Sequence, residues 1–185
     1  LERLVRELER IGQRPRGAYA VDWSRGSGEI SGPYDRVLVD APCSGLGTLR
    51  RNPDLKWRQT PETVAAQARL QAAILNSAAR LLKPGGRLVY ATCSLLQAEN
   101  EAVCEAFGAS HADFEPMPVV GLLEALRVPG ADTLCSGEQR QWLRSSPPEK
   151  SVAVSGLLVV ASALANSYRP LPWRKLGRFV PLTIS

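Results

Sequence analysis

The chain has 185 residues, 44% of them hydrophobic and 22% charged, which is an ordinary composition for a globular domain with a core of its own. Its longest apolar stretch, 152–165, is shorter than the roughly 20 residues of a spanning helix, and no secretory signal is visible, so we expect neither a membrane partner nor export. The formal net charge of +5 comes from basic residues concentrated after residue 139, which makes it a poor argument for a nucleic-acid partner.

The first half of the chain predicts a helix, two strands and a long loop. Apolar residues at helical spacing indicate an amphipathic helix over 1–11, and residues 17–21 are a short strand candidate. Residues 24–33 are rich in Ser and Gly and predict a loop. The β-branched run 36–40 is typical of a buried parallel strand, and the Pro- and Gly-containing segment 41–60 predicts a long loop after it.

The middle of the chain continues the alternation. Thr60-Pro61-Glu62 is a helix start, and the apolar spacing predicts a helix through Leu82. A strand is predicted over 87–92 and another helix over about 97–107. Such alternation predicts an α/β fold with a mostly parallel sheet and helices on both faces, and ligands of such folds bind beyond the carboxyl ends of the strands.

The pattern weakens after residue 118. The remaining predictions are a short helix over 119–126, an irregular segment over 127–150, a strand or a buried helix over 152–165, and a poorly ordered end over 167–185. We therefore place a boundary between residues 1–126 and an atypical, basic, partly disordered tail, 127–185.

Two of the four cysteines, Cys43 and Cys93, directly follow predicted strands, so both are expected at the same edge of the sheet. Cys104 falls inside a predicted helix and Cys135 in an irregular segment, where inert, structural roles are expected. No Cys-x-x-Cys pair is present and His111 is the lone histidine, so we expect no metal site and free thiols in a reducing compartment. A small, buried, apolar role is the alternative for Cys43 and Cys93 as well.

Three stretches carry a resemblance to a known family. The segment Asp35–Trp57, the segment Leu82–Ser94 and the acid-rich Glu99–Glu101 resemble motifs of the NOP/Sun (RsmB-like) RNA cytosine-5 methyltransferases. The resemblance implies a Rossmann-like fold, S-adenosylmethionine as the cofactor, and RNA, most of all ribosomal RNA, as the substrate.

The resemblance also assigns roles to single residues. It implies that Cys93 is the nucleophile that adds to C6 of the base, and that Cys43 assists breakdown of the adduct. Asp40 is similar to the acid between base and cofactor, where it can bind the cytosine amino edge. Asp22 resembles the acid near the adenosine of the cofactor; its alternative is a solvated acid at a strand end.

A basic cluster lies in the loop after the first of these strands. Arg50, Arg51, Lys56 and Arg58 are candidates to bind RNA phosphates beside the base pocket, and a solvated basic loop is the alternative. Trp57 is either a stacking surface for a base or an aromatic lid over the core. A target base must be unstacked to reach such a site, so looped or single-stranded RNA is the expected substrate form.

The sequence departs from the family at both ends. The Gly-rich first motif, the acid of the second motif and the N-terminal RNA-binding domain do not precede Leu1, so we expect a fragment with its first strands missing and with weak cofactor binding at best. The family's closing Asp-Gly-Phe-Phe strand is absent, and residues 137–185 look foreign to the family.

Three other functions stay open at this stage. One is a non-catalytic remnant that at most binds RNA. The second is a DNA cytosine methyltransferase, which also uses a Pro-Cys nucleophile, although the Thr-Cys-Ser segment at Cys93 disfavours it. The third is a methyltransferase-like fold in which both thiols are merely buried. For the leading function we expect a monomeric, cytoplasmic protein.

Overall fold

The computed structural model describes residues 2–10, 12, 17–136, 142–144, 155–162 and 179–183, and within these ranges helices pack on one mixed sheet. The helices are α1 (Glu2–Arg10), α2 (Leu55–Arg58), α3 (Pro61–Ala79), α4 (Glu101–Ser110), α5 (Val119–Ala125) and α6 (Ala131–Leu134). The strands are β1 (Tyr34–Asp40), β2 (Leu82–Ala91), β3 (Phe114–Pro116), β4 (Cys135–Ser136), β5 (Trp142–Arg144), β6 (Ser155–Ser162) and β7 (Phe179–Thr183). Single 3-10 turns occur at Leu46–Thr48 and Gln97–Glu99.

Strands β1 and β2 form the parallel pair that positions the site. Their register aligns Val37 with Leu88 and Asp40 with Ala91. The ladder continues one step beyond the strands, where the Ala41 N–H donates to the Ala91 carbonyl at 2.9 Å. Because the two strands run in the same direction, the segments that follow them start side by side at one edge of the sheet.

The predicted α/β class is confirmed, and the sheet is parallel in one part and antiparallel in the other. The described strands run in the order β4-β5-β6-β2-β1-β7, with β3 also paired to β6. Strands β2, β1 and β7 are mutually parallel, whereas β6 runs antiparallel to β2, β3 and β5. The parallel strands are the ones that carry the site.

Helices cover both faces of this sheet, as predicted. Successive side chains of a strand point to opposite faces. In β2, Leu88 and Tyr90 belong to the main core with residues of α3 and α4, whereas Val89 packs against a second cluster that includes Val119 of α5. Both faces of the second half of β2 are therefore shielded from water, which matches the apolar run Leu88–Ala91.

Helix α3 begins where the sequence predicts. Thr60 caps it by accepting from the Thr63 N–H at 3.3 Å, while the Thr63 hydroxyl accepts from the Thr60 N–H at 2.9 Å. The helix ends at Ala79 instead of Leu82, because Leu82 already pairs with Tyr34 as the first residue of β2.

Several weaker predictions are corrected. Residues 17–21 are not a strand; both edges of β1 are taken by β2 and β7, so this segment has no ladder to join on β1. For 152–165, where a strand and a buried helix were both left open, the described part Ser155–Ser162 is a strand. Within 127–150, which we predicted to be irregular, the structure has α6, β4 and β5.

The tail also contributes to the sheet. Strand β7 falls in the stretch predicted to be poorly ordered because of its prolines. It is the last of the described strands in the order, and edge strands are where prolines such as Pro181 are tolerated. The described strands beyond residue 126 thus join the same sheet as β1 and β2. None of the helices described is long and apolar enough to cross a membrane.

Candidate active site

The two thiols predicted to converge lie in contact. Cys43 follows β1 and Cys93 follows β2, and their Sγ atoms are 3.2 Å apart, within hydrogen-bonding distance for sulfur. Both side chains are partly buried, neither enclosed in the aliphatic core nor fully open to solvent. The predicted convergence is confirmed, and the alternative in which both thiols are merely buried loses its basis.

The hydrogen bond between the two thiols shifts their pKa values in opposite directions. The hydrogen bond from Cys43 lowers the pKa of the Cys93 thiol to about 7, against opposing effects of burial and of the charges on Asp40 and Glu99. The same hydrogen bond, together with burial, raises the pKa of Cys43 well above its ordinary value. These directions favour Cys93 as the thiol that ionises first and Cys43 as the thiol that keeps its proton and donates to it.

Asp40 lies at the same edge of the sheet. It is the last residue of β1 and pairs with Ala91, and its charge acts on Cys93. Its side chain keeps access to solvent, although partial burial raises the pKa of its carboxyl. The structure thus brings three of the four residues predicted for catalysis and cofactor binding together: Cys43, Cys93 and Asp40.

Asp22 has its contacts within its own turn. Its carboxylate accepts from the Ser24 N–H at 3.1 Å and the Ser24 hydroxyl at 2.6 Å, and it lies 3.4 Å from the Arg25 guanidinium. The hydroxyl of Ser24 lowers the pKa of this carboxyl. The residue is exposed and belongs to no strand, so its predicted contact with the cofactor stays a prediction.

The four basic residues are all exposed, on the loop after β1 and on α2. Arg58 lies 3.3 Å from Asp54, one turn earlier, and the Lys56 ammonium lies 4.8 Å from the centre of the Trp57 ring. Trp57 is 80% exposed, so it is not a lid over the core. The Gln59 side chain donates to the Ser44 carbonyl at 3.0 Å, which ties the end of α2 to the Cys43 loop.

Glu99 is a site residue that sequence analysis missed as such. Its side chain is fully buried, and its carboxylate accepts from the Ser44 N–H at 2.7 Å, from the Ser44 hydroxyl at 2.5 Å and from the Ser94 hydroxyl. Gln71 of α3 donates to it at 3.2 Å. A Cys-Ser pair follows both β1 and β2 in the sequence, but neither pair indicates which acid the serines bind.

A second layer of buried polar groups holds Glu99 and its loop. The Tyr90 hydroxyl donates to the Glu99 carbonyl at 2.7 Å, and the Thr92 hydroxyl donates to the Asn100 side chain at 2.5 Å. The Asn100 amide in turn donates to the carbonyls of Ser94 and Leu96 at 3.0 Å. These bonds order the segment after Cys93 without any regular structure in it.

The remaining singled-out residues lie elsewhere. Cys104 is buried in α4, and burial raises its pKa well above the ordinary value, so it is an inert thiol. Cys135 packs beside the small cluster around Val119. The His111 ring stacks on Phe107 with 4.1 Å between ring centres. In the described part of the chain, no group of three or more His, Cys, Asp or Glu side chains is arranged to hold a metal ion.

Comparison with known families gives one match over most of the chain. The family described as 16S rRNA methyltransferase RsmB/F matches residues 1–142. Both cysteines, Asp40, Glu99 and the basic loop fall within the matched residues.

Curated relatives carry related names. The chain is 58% identical over 84 residues to the probable ribosomal RNA small subunit methyltransferase B of Synechocystis sp., which covers 45% of this chain and 19% of the relative. It is 42% identical over 120 residues to the ribosomal RNA small subunit methyltransferase B of Klebsiella pneumoniae, which covers 62% of this chain and 27% of the relative. The matched part is thus about a fifth to a quarter of these relatives' length.

Solved structures share the fold. The crystal structure of PH0851 superposes with a TM-score of 0.71 at 32% identity, covering 86% of this chain and 34% of that one. NSun6 from Pyrococcus horikoshii, solved with SFG, superposes with a TM-score of 0.63 at 21% identity over 89% of this chain and 39% of that one, which shows the fold alone.

Proposed function

Because the chain belongs to the 16S rRNA methyltransferase RsmB/F family, we propose that it carries the base-attacking thiols for methyl transfer from S-adenosylmethionine to C5 of a cytosine in ribosomal RNA. The observation that carries the proposal is the 3.2 Å contact between the Cys43 and Cys93 sulfurs, and the lowered pKa of Cys93 supports it. A pair of this kind supplies a nucleophile and a proton donor at one point, which is what addition to a pyrimidine and later elimination require.

Cys93 acts first. Cytosine C5 is too weak a nucleophile to take a methyl group directly, so the Cys93 thiolate adds to C6 and the ring becomes an enamine with its electron pair available at C5. A pKa of about 7 means that roughly half of the Cys93 population is thiolate at neutral pH, and no proton has to be removed before attack.

Cys43 acts at the end of the reaction. After C5 has gained the methyl group, its proton passes to a base in the surrounding solvent. The electron pair left at C5 re-forms the double bond to C6 as the bond between C6 and the Cys93 sulfur breaks with return of the thiolate. Cys43 donates its hydrogen bond to that departing sulfur, because its Sγ is 3.2 Å from it, and this stabilises the leaving group. The same contact therefore assists both attack and release.

The charge of the residues at the strand ends suits the part of the cofactor that carries the methyl group. S-adenosylmethionine supplies an electrophilic methyl group on a positively charged sulfonium. The carboxylate of Asp40 is accessible and acts electrostatically on Cys93, so it fits a cationic centre, or the cytosine amino group, beside the thiols. Asp22, an exposed carboxylate, is proposed to face the adenosine part of the cofactor.

The RNA partner is proposed to lie over the loop after β1. Arg50, Arg51, Lys56 and Arg58 present positive charge next to the Cys43 loop, and the exposed Trp57 offers a flat apolar surface for a base. The link from Gln59 to Ser44 couples this surface to the thiols.

The test is transfer of a labelled methyl group to small-subunit ribosomal RNA by the intact protein that contains this chain, with identification of the modified atom by nucleoside mass spectrometry. We expect 5-methylcytosine, its loss in Cys93→Ala, and a covalent RNA adduct through Cys93 that accumulates in Cys43→Ala. Cys135→Ala is the matched control, since this thiol lies outside the pair. Methylation at another atom, or an adduct that forms through Cys43, would contradict the proposal.

A further inference from the structure

The two cysteine loops meet on a single buried carboxylate. Each catalytic thiol is followed by a serine, and both serines, Ser44 and Ser94, bind the side chain of Glu99. The two serine hydroxyls also lie 3.2 Å from one another, so they repeat on the buried side the contact that the two sulfurs make on the accessible side. Glu99 reaches this position from the 3-10 turn that precedes α4.

The burial of Glu99 is costly for a charged group, and its partners are all neutral. Its side chain has no exposed surface, and among the described residues its carboxylate forms no ion pair with a basic side chain. Donors from three elements offset this cost: Ser44 after β1, Ser94 after β2 and Gln71 of α3. An apolar residue of similar volume would leave these buried donors unpaired, so the carboxylate is the group that joins the three elements.

The geometry couples each serine to its cysteine. The Ser44 N–H belongs to the peptide unit that follows Cys43, so its 2.7 Å bond to Glu99 fixes the backbone next to that thiol. The Ser94 hydroxyl donates to Glu99 and accepts from the Leu96 N–H at 3.1 Å. A shift of either serine away from Glu99 therefore shifts the neighbouring sulfur and lengthens the contact between Cys43 and Cys93.

We propose that Glu99 is a positioning residue that holds the Cys43 and Cys93 loops together, so that the two thiols stay within hydrogen-bonding distance. The reason to hold the thiols together, a reactive nucleophile paired with its proton donor, rests on the proposed function. The structural argument depends only on the contacts that Ser44 and Ser94 make with Glu99.

The experiment measures the rate at which iodoacetamide alkylates Cys93 as a function of pH, with each cysteine read separately by peptide mass spectrometry. The double variant Ser44→Ala/Ser94→Ala removes the serine hydroxyls that bind Glu99. We expect the alkylation midpoint of Cys93 to rise from about 7 toward the ordinary thiol value of about 8.5. The rate at pH 7 should then fall about tenfold.

Two matched variants separate positioning from stability. Ser77→Ala removes another buried serine, which donates to Ala73 in α3, and Glu105→Gln removes a charge from the exposed face of α4. Both should leave the Cys93 midpoint unchanged, whatever they do to the free energy of unfolding. Glu99→Gln keeps the length of the side chain while the serine hydroxyls rotate to accept from its amide, and it removes a negative charge that raises the pKa of Cys93, so its midpoint should stay at or below that of the wild type.

The proposal would be overturned if the double serine variant, folded as the wild type, kept the wild-type midpoint, or if Ser77→Ala raised it as much. The assay contains neither RNA nor cofactor, so its result is independent of whether the chain methylates cytosine.

Discussion

The backbone N–H of Gly47 donates to the carbonyl of Cys93 at 2.9 Å, so the loops after β1 and β2 are joined by their main chains as well as by their thiols. Gly45 makes this possible: it adopts a left-handed conformation with φ 72°, which turns the chain into the 3-10 turn Leu46–Thr48. The link does not depend on either sulfur. Cysteine variants should therefore keep the local fold and report on chemistry.

The pKa of Cys93 should depend on Cys43. In Cys43→Ala the hydrogen bond to the Cys93 thiolate is lost, and with it the largest effect that lowers this pKa to about 7. A higher pKa means less thiolate at neutral pH, so we expect alkylation of Cys93 at pH 7 to slow by about tenfold and the midpoint to move to higher pH. Cys135→Ala should alkylate at Cys93 like the wild type, and an unchanged midpoint in Cys43→Ala would refute the assignment of the proton.

Tyr90 should contribute to stability through one buried hydroxyl. Tyr90→Phe leaves the ring in the core but removes the donor to the Glu99 carbonyl at 2.7 Å. The orphaned carbonyl should lower the free energy of unfolding by about 1–3 kcal/mol, measured by denaturant titration. Tyr19→Phe, at an exposed tyrosine, is the control and should change it by less than about 0.5 kcal/mol. Equal effects at the two tyrosines would argue against the buried bond.

The basic loop should bind RNA mainly by charge. Arg51→Ala/Lys56→Ala should weaken binding of single-stranded RNA and reduce the slope of log K against log salt by about 1.4, since each lost phosphate contact contributes about 0.7. Removing two exposed charges elsewhere, in Arg69→Ala/Arg80→Ala, controls for the net charge. Binding isotherms at several salt concentrations measure the effect, and equal slopes for the two double variants would place the RNA elsewhere.

Trp57 should matter for RNA and not for folding. With 80% of its surface exposed, Trp57→Ala should leave the free energy of unfolding within about 0.5 kcal/mol of the wild type. Loss of a stacking surface should weaken binding of single-stranded RNA by about 1–3 kcal/mol. Leu126→Ala, at another exposed apolar residue, should alter neither quantity. A large loss of stability in Trp57→Ala would restore the view of this ring as part of the core.

The meeting of Cys43 and Cys93 was predictable from the sequence because it follows from local rules. A β-branched run predicts a buried strand, parallel strands align their carboxyl ends, and residues just beyond those ends become neighbours. The start of α3 was predictable for the same kind of reason, since Thr60 and Pro61 act within one turn. Each of these features depends on a few residues that are consecutive in the sequence.

The role of Glu99 was not predictable in this way. Its partners, Ser44 and Gln71, are distant in sequence, and a glutamate next to an asparagine at a helix start is usually a solvated acid. The pairing of β1 with β7 was equally unpredictable from the sequence. Nothing local in Phe179–Thr183 indicates that it pairs with β1, and its proline argued against a strand although an edge position accommodates it.

The position of β7 has a consequence for how the molecule is made. Strand β1 receives one neighbour from Leu82–Ala91 and the other from Phe179–Thr183, so during translation one side of it waits with open hydrogen-bonding groups until the second neighbour has left the ribosome. A nascent chain in that state presents a ready template for another strand. By pairing with the open edge of β1, β7 therefore prevents that edge from pairing with another chain during synthesis.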